Sequence, residues 1–282
     1  MPEGNTVWLT ARGLHKALAG HPLAVAELRI GDLATTDLTD RQVREVVARG
    51  KHLLIRLDNG LTLHNHLRMD GAWRVHPAGR PIPDTRDHVR VILGTAAVIA
   101  VGYRVHDIAL LPTAAEGTVV GHLGPDLLGP DWDAAIATRR LAADPDRSIG
   151  EAILDQRNLA GAGNVYKAET CFLRGVSPWT PVGDVRDLRG LVDLVARLLQ
   201  ANRERYDHVT TGDARSGRRT WVYGRAGRPC LRCGAAVQVA WQGDPKRADA
   251  ERISYWCPNC QPGPSPEQAQ RGLHRATTPR PR

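Results

Sequence analysis

The sequence predicts an α+β protein of several domains, and three observations carry that prediction. Between residues 23 and 111, short apolar runs alternate with turn signals, the signature of a β-sandwich or barrel. From residue 132 to about 205 the apolar period lengthens to that of helices. The chain then presents two Cys-x-x-Cys pairs, Cys230/Cys233 and Cys257/Cys260, the spacing of a four-cysteine zinc ribbon. At 282 residues there is chain enough for more than one hydrophobic core. The boundaries read as 1–111 for the N-terminal unit, 112–131 for a linker, 132–222 for the helical unit, 223–261 for the finger and 262–282 for a tail.

Residues 5–19 read as an amphipathic helix with Val7, Ala11, Leu14 and Leu18 on one face. Asn5 or Thr6 is the expected cap, and Gly20 with Pro22 ends the run. Next, Lys51 to Leu57 and Leu61 to Leu67 flank Asp58-Asn59-Gly60, a hairpin with an expected type I′ turn. Val89 to Leu93 and Val98 to Val101 form a second pair. Lys51 and His66 fall at the open end of the first hairpin and should lie together at one end of the sheet. The segment after it, Arg68-Met69-Asp70, puts an unbranched apolar side chain on a loop, where it can fill a core gap or wedge between stacked bases.

The linker assignment rests on Pro112, Gly117, Gly121, Gly124, Pro125, Gly129 and Pro130. Trp132 to Ala143 reads as a helix, and Ser148-Ile149-Gly150-Glu151 as a capping box opening another. Gly161-Ala162-Gly163-Asn164 is a tight turn whose Asn is expected to cap the following helix; it reads either as the turn of an ordinary helical hairpin or as a site whose free N–H groups hold a phosphate. Residues 186–205 carry an apolar stripe of Leu188, Leu191, Val192, Val195, Leu198 and Leu199 and belong to the core. Cys171 reads as a small buried hydrophobe.

Arg215 to Arg228 is basic, with Trp221 and Tyr223 interleaved, and leads into the cysteines. Four thiolates saturate a zinc ion, so one structural Zn2+ is expected, with Arg252 on the second ribbon strand. The excess ribbon length sits in the polar turn 243–251, and the Pro-, Gln- and Arg-rich tail is expected to be disordered.

A formal net charge of +8 and a pI of about 9.6 suit a polyanionic partner. No apolar run approaches the ~20 residues of a membrane span, and no signal peptide precedes the first helix. A cytoplasmic, nucleoid-associated monomer is the expectation. The first residues add chemistry to it. With Met1 removed, Pro2 is a secondary amine at the N-terminus, with a pKa near ~8 against ~10.4 for a lysine. Such an amine condenses with a sugar aldehyde to give a cationic iminium, and the adjacent Glu3 can shuttle protons.

Pro2-Glu3-Gly4, Gly50-Lys51-His52, His66 to Gly71, Gly161 to Asn164, and Val222-Tyr223-Gly224-Arg225 through the four cysteines stand in one order and at one set of separations. In these motifs, from Met1 to about Gln261, the chain resembles the Fpg/Nei family of base-excision DNA glycosylases. That resemblance implies an N-terminal β-sandwich, a helix–two-turn–helix module and a zinc finger, with damaged or abasic double-stranded DNA in the cleft between them. It implies Pro2 as Schiff-base nucleophile, Glu3 as general acid, Lys51 and Arg252 as phosphate and elimination groups, and Asn164 as a backbone contact. Tyr103-Arg104-Val105-His106-Asp107-Ile108 and Gly4 look more like the endonuclease VIII side, whose expected substrates are oxidised pyrimidines. Two departures stand out. That side usually has Gln-Leu-Tyr where this chain has Arg68-Met69-Asp70, and an arginine where this chain has His122. His66, Arg68, Met69 and His122 remain DNA-contact candidates.

Three other readings compete with a bifunctional glycosylase/AP lyase. A non-catalytic binder of damaged DNA would use the same cleft but needs neither Pro2 nor Glu3. A zinc-ribbon adaptor leaves Lys51 and the Gly-rich turn unexplained. An enzyme using Pro2 as a base on small molecules leaves the basic finger unexplained.

Overall fold

The computed structural model describes residues 2–81, 88–243 and 252–268. Met1, most of the polar turn 243–251 and most of the tail lie outside the described residues. The part of the tail that is described, up to Gln268, starts against the protein, where Ser177 Oγ donates to the Pro264 carbonyl at 2.7 Å.

The first helix, α1 (Gly4–Leu18), buries the predicted face of Val7, Ala11, Leu14 and Leu18. Neither Asn5 nor Thr6 caps it. Glu3 holds the N-cap position, and Asn5 is buried with its Nδ2 donating to the carbonyls of Asn202 and Arg205, at 3.4 and 3.0 Å. Pairing with a distant backbone has displaced the local cap. The helix is thereby tied to the helical half of the molecule.

Eight strands follow: β1 (Val25–Leu28), β2 (Val43–Arg49), β3 (His52–Leu57), β4 (Leu61–His66), β5 (Ala72–Pro77), β6 (Val89–Gly94), β7 (Val98–Tyr103) and β8 (His106–Pro112). They form two antiparallel four-stranded sheets, ordered β1-β6-β7-β5 and β2-β3-β4-β8. Leu28, Val91, Leu93 and Ala100 of the first sheet share one core with Val43, Leu53, Ile55 and Leu63 of the second, roofed by α1. The unit is therefore a sandwich and not a barrel. The first hairpin forms where expected, with a different turn. Gly60 alone takes a positive φ, +78°, and its N–H meets the Leu57 carbonyl, so the loop has three residues and ends in a left-handed glycine.

The segment read as a linker contains a short helix, α2 (Gly117–Val120). Helices α3 (Ala134–Ala142), α4 (Ile149–Leu154), α5 (Asn164–Leu173) and α6 (Leu188–Ala201) surround a second core built on Tyr166, Leu191, Val192, Val195 and Leu199. Asp133 caps α3 through the N–H groups of Ala135 and Ile136, and Asp187 caps α6. The expected capping box at α4 does not form, because the Ser148 hydroxyl donates to the Glu151 carboxylate and caps no backbone N–H. The ribbon, β9 (Gln238–Gln242) and β10 (Arg252–Trp256), packs on α5 through Phe172, Ala168, Val222 and Val237. Arg232 lies over the Phe172 ring at 4.4 Å. No helix among the described residues is long and apolar enough to cross a membrane.

Candidate active site

The N-terminus and the Gly-rich turn meet at the seam between sandwich and helices. Gly4 N–H donates to the Gly161 carbonyl at 2.9 Å. Glu3 is fully buried, and its carboxylate accepts from Gly163 N–H at 2.9 Å and Val165 N–H at 2.8 Å. The free N–H groups at the start of α5 are therefore filled by the protein's own carboxylate, where the sequence suggested a phosphate. Electrostatics explains the choice, since helix N-termini favour negative charge. Glycine is required in the turn, because a Cβ on Gly163 would lie 2.5 Å from the Glu3 carboxyl carbon. Pro2, half-buried beside this carboxylate, borders a cavity of about 550 Å³ whose other walls include Thr6, Tyr206, His208, Arg219 and Tyr223. Buried Glu169 shapes that wall by accepting from the N–H groups of Trp221, Val222 and Tyr223 at 2.7, 3.0 and 2.9 Å.

Lys51 is half-buried near the same place. Burial lowers its ammonium below the usual lysine range; Glu3 opposes that shift and Arg252 adds to it, so all three groups share one field. Its position comes from the preceding residue. Gly50 N–H donates to Asp126 Oδ2 at 2.7 Å, and Asp126 is buried, its carboxyl raised by that burial. Arg252 opens β10 and is exposed. Asn164 does not cap α5. Its Nδ2 reaches across to the ribbon and donates to the Ile253 carbonyl at 2.7 Å.

His66 stands at the open end of the first hairpin in a cluster with His52, His64 and His122. His52 and His64 share a hydrogen bond of 2.8 Å, and the His66 and His122 rings lie 5.2 and 6.1 Å from that of His52. Burial, then the neighbouring imidazoles, push His52 down to about 3; burial, then Lys51, push His66 down to about 4. Both are neutral in the folded state at pH 6, whereas an unfolded imidazole titrates near ~6.5. Their stabilising contribution is thus complete above ~6.5 and drains away as pH falls towards 4. A tenfold change in proton affinity is worth ~1.4 kcal/mol, so the loss should reach a few kcal/mol. Urea unfolding between pH 7 and 4 checks this, and a flat profile above pH 4.5 would contradict it.

Met69 is 67% exposed at a loop tip, so it does not fill the core. Its neighbours are tied down. Arg68 forms a bidentate pair with Asp107 at 2.8 and 2.7 Å, and Asp70 meets His106 at 3.1 Å. Arg68, Arg104 and Asp107 all hold left-handed φ values near +50°, a conformation non-glycine residues adopt at a cost.

The four cysteine sulfurs lie within 4.8 Å of one another, with Cys230–Cys260 at 4.0 Å and Cys233–Cys257 at 3.4 Å. Sulfurs placed ~2.3 Å from a tetrahedral metal stand ~3.8 Å apart, so the donor set fits. Arg232 N–H points at Cys230 Sγ at 3.4 Å, the backbone support such a knuckle needs. Cys171 is buried elsewhere and takes no part.

Sequence reasoning missed Asp126, Glu169 and Lys167. The last has no exposed surface and donates to Ser254 Oγ at 2.6 Å. All three pair with residues distant in sequence, so no local pattern marked them.

Comparison with known proteins agrees with this geometry. Residues 1–105 match the formamidopyrimidine-DNA glycosylase N-terminal domain. A probable endonuclease 8 2 of Streptomyces coelicolor is 56% identical over 274 residues, covering 96% of this chain and 98% of that protein. The DNA-(apurinic or apyrimidinic site) lyase Nei2 of Mycolicibacterium smegmatis is 45% identical, covering 93% and 99%. In fold, the chain is similar to the Lactococcus lactis formamidopyrimidine-DNA glycosylase crystallised with abasic-site DNA, with a TM-score of 0.75 at 22% identity over 93% of this chain and 100% of that one. With identity at this level sustained along nearly its whole length, the chain belongs to the Fpg/Nei family of DNA glycosylases.

Proposed function

We infer that this protein is a base-excision DNA glycosylase with AP lyase activity, acting on oxidised pyrimidines and abasic sites in double-stranded DNA. One observation carries the reading. Pro2 borders a cavity large enough for a nucleobase, next to a buried carboxylate held in a single orientation by two backbone N–H groups.

The reaction follows from these parts. The damaged nucleotide leaves the stack at a cost of a few kcal/mol and its base enters the cavity. The processed Pro2 nitrogen attacks C1′ as the C1′–base bond breaks, the base leaving with the bonding pair and taking a proton from water. The Pro2 amine proton passes to the Glu3 carboxylate and from it to the ring oxygen as the sugar opens and the iminium forms. The resulting iminium acidifies the C2′ proton. Its loss expels the 3′ phosphate, and a second elimination expels the 5′ phosphate and leaves a one-nucleotide gap. Lys51 and Arg252 are assigned to the phosphates flanking the site and to the eliminations. Asn164, His66 and His122 border the backbone path. Met69 enters the vacated stack, with Arg68 and Asp70 beside it on the loop. Cys230, Cys233, Cys257 and Cys260 hold one structural zinc, whose chemistry ends at fixing the ribbon. The domain limits are taken as 1–111, 132–222 and 223–261, with the finger's core shared with α5 through Ala168 and Phe172, and a DNA partner would hold the protein on the nucleoid.

Borohydride trapping of the full chain on an abasic-site duplex tests the reading. The expected product is a covalent adduct whose DNA maps to a peptide beginning at Pro2. Tight binding with no adduct would identify a non-catalytic damaged-DNA binder instead. An adduct on a chain that retains Met1 would overturn the assignment of the nucleophile.

A further inference from the structure

We propose that Lys167 is a positioning residue for Arg252, acting through the strand that carries it and through a buried chain of donors that ends on Glu151. The proposal rests on the site reading given above. Lys167 lies on α5, and its Nζ donates to Ser254 Oγ at 2.6 Å and to the Ile253 carbonyl at 3.3 Å. Ser254 Oγ in turn donates to Gln242 Oε1 at 2.6 Å. Gln242 Nε2 donates to Ser148 Oγ at 3.0 Å and to the Pro178 carbonyl at 2.8 Å. Ser148 Oγ donates to the Glu151 carboxylate.

The direction of this chain is fixed from its carboxylate end. Glu151 only accepts, so the Ser148 hydroxyl donates to it and accepts from Gln242, whose oxygen accepts from Ser254, which leaves Ser254 Oγ to accept from Lys167. Lys167, Ser254 and Gln242 are all nearly or fully buried, and a polar network in such a setting holds as a unit or not at all. It ties α5, both ribbon strands and the start of α4 together at one point. That point is the Ile253–Ser254 segment, immediately after Arg252. Asn164 Nδ2, one turn earlier on α5, fastens the same Ile253 carbonyl at 2.7 Å. Packing alone does not call for this arrangement, because an apolar side chain of equal length would fill the space without burying a polar group. What the lysine adds is a defined register of the ribbon on α5, and hence a defined place for the guanidinium of Arg252. Burial lowers the Lys167 amine to about 7, and Arg252 adds a little in the same direction, as it does at Lys51.

Lys167→Met in the full chain separates positioning from simple stability. With an abasic-site duplex as substrate, bound metal should remain at one ion per chain and trapping at Pro2 should fall no more than threefold. The second elimination should fall at least tenfold relative to the first, and duplex affinity should weaken. Ser254→Ala, which removes the next link and leaves the lysine, should give the same split to a lesser degree, and serves if the methionine variant does not fold. An unchanged product ratio in a folded, metal-loaded variant would overturn the proposal. So would a fall in trapping equal to that of the second elimination. A native chain that fails to trap would refute the function and not this claim, which would then stand or fall on whether Lys167→Met weakens duplex affinity.

Discussion

Glu3→Gln is expected to reduce base excision by about 10²–10⁴-fold, the range associated with removing a positioned proton donor. The change is nearly isosteric, so the turn at Gly161 to Gly163 need not move. A carboxylate presents an acceptor to both Gly163 N–H and Val165 N–H. A carboxamide presents one acceptor and one NH2 group, and a buried N–H is left facing another donor. Such a group costs ~1–3 kcal/mol, which in a chain of this size is a fall of several degrees in melting temperature. The two effects separate cleanly. The stability loss is modest and the chemical loss large, while an already abasic site should still be trapped, because Pro2 retains its amine. Excision rates on a duplex carrying an oxidised pyrimidine, measured beside trapping on an abasic duplex, give the comparison. Excision within tenfold of the native rate would remove Glu3 from the chemistry.

What could be read from the residues alone was local. The hairpin of Lys51, the exposed loop of Met69 and the two cysteine pairs are short patterns whose geometry follows from spacing. They stand in the structure where the spacing put them, although the hairpin closes with a different turn. The helix caps were misjudged for one shared reason. Asn5, Asn164 and Ser148 each have an acceptable local role, and in each case a group elsewhere in the fold claims the side chain: the Asn202 carbonyl for Asn5, the Ile253 carbonyl for Asn164, and the Gln242 amide for the Ser148 oxygen, whose own proton goes to the neighbouring Glu151 carboxylate. The occupant of the helix N-terminus was misjudged likewise. Two glycines at 161 and 163 did signal a close approach, but nothing in them says that the visitor is a carboxylate some 160 positions earlier. Lys167 had a readable clue. Every residue of α5 from Asn164 to Phe172 is buried, and a helix with no polar face must bury its polar residues in pairs. Recognising that requires knowing that α4, α6 and the ribbon all close over it.

Removing the metal should cost the protein most of its DNA affinity, by about 10²-fold or more, and leave the sandwich folded. The finger has little else to hold it. Its two strands are five residues each, and a lone two-stranded ribbon is marginal in water. Its core is Phe172, Val222, Val237 and Ala168 with two of the cysteines themselves, Cys230 and Cys257. Structural zinc in such modules supplies ~10–16 kcal/mol at pH 7, more than this cluster can replace. Without it, the Lys167 chain loses Ser254 and Gln242, and Arg252 loses its strand. The sandwich has an independent core of Leu53, Ile55, Leu63, Val91 and Leu93 under α1 and should melt as before. Cys257→Ala is the decisive variant, with Cys171→Ala as its control. The first should lose bound metal, duplex affinity and the ribbon's contribution to the circular dichroism. The second should keep all three, since Cys171 lies apart from the cluster with a thiol that burial pushes up to about 12. Metal-free protein that still binds an abasic duplex within threefold of the native affinity would mean that the ribbon is held by packing alone, and that the four sulfurs meet for some other purpose.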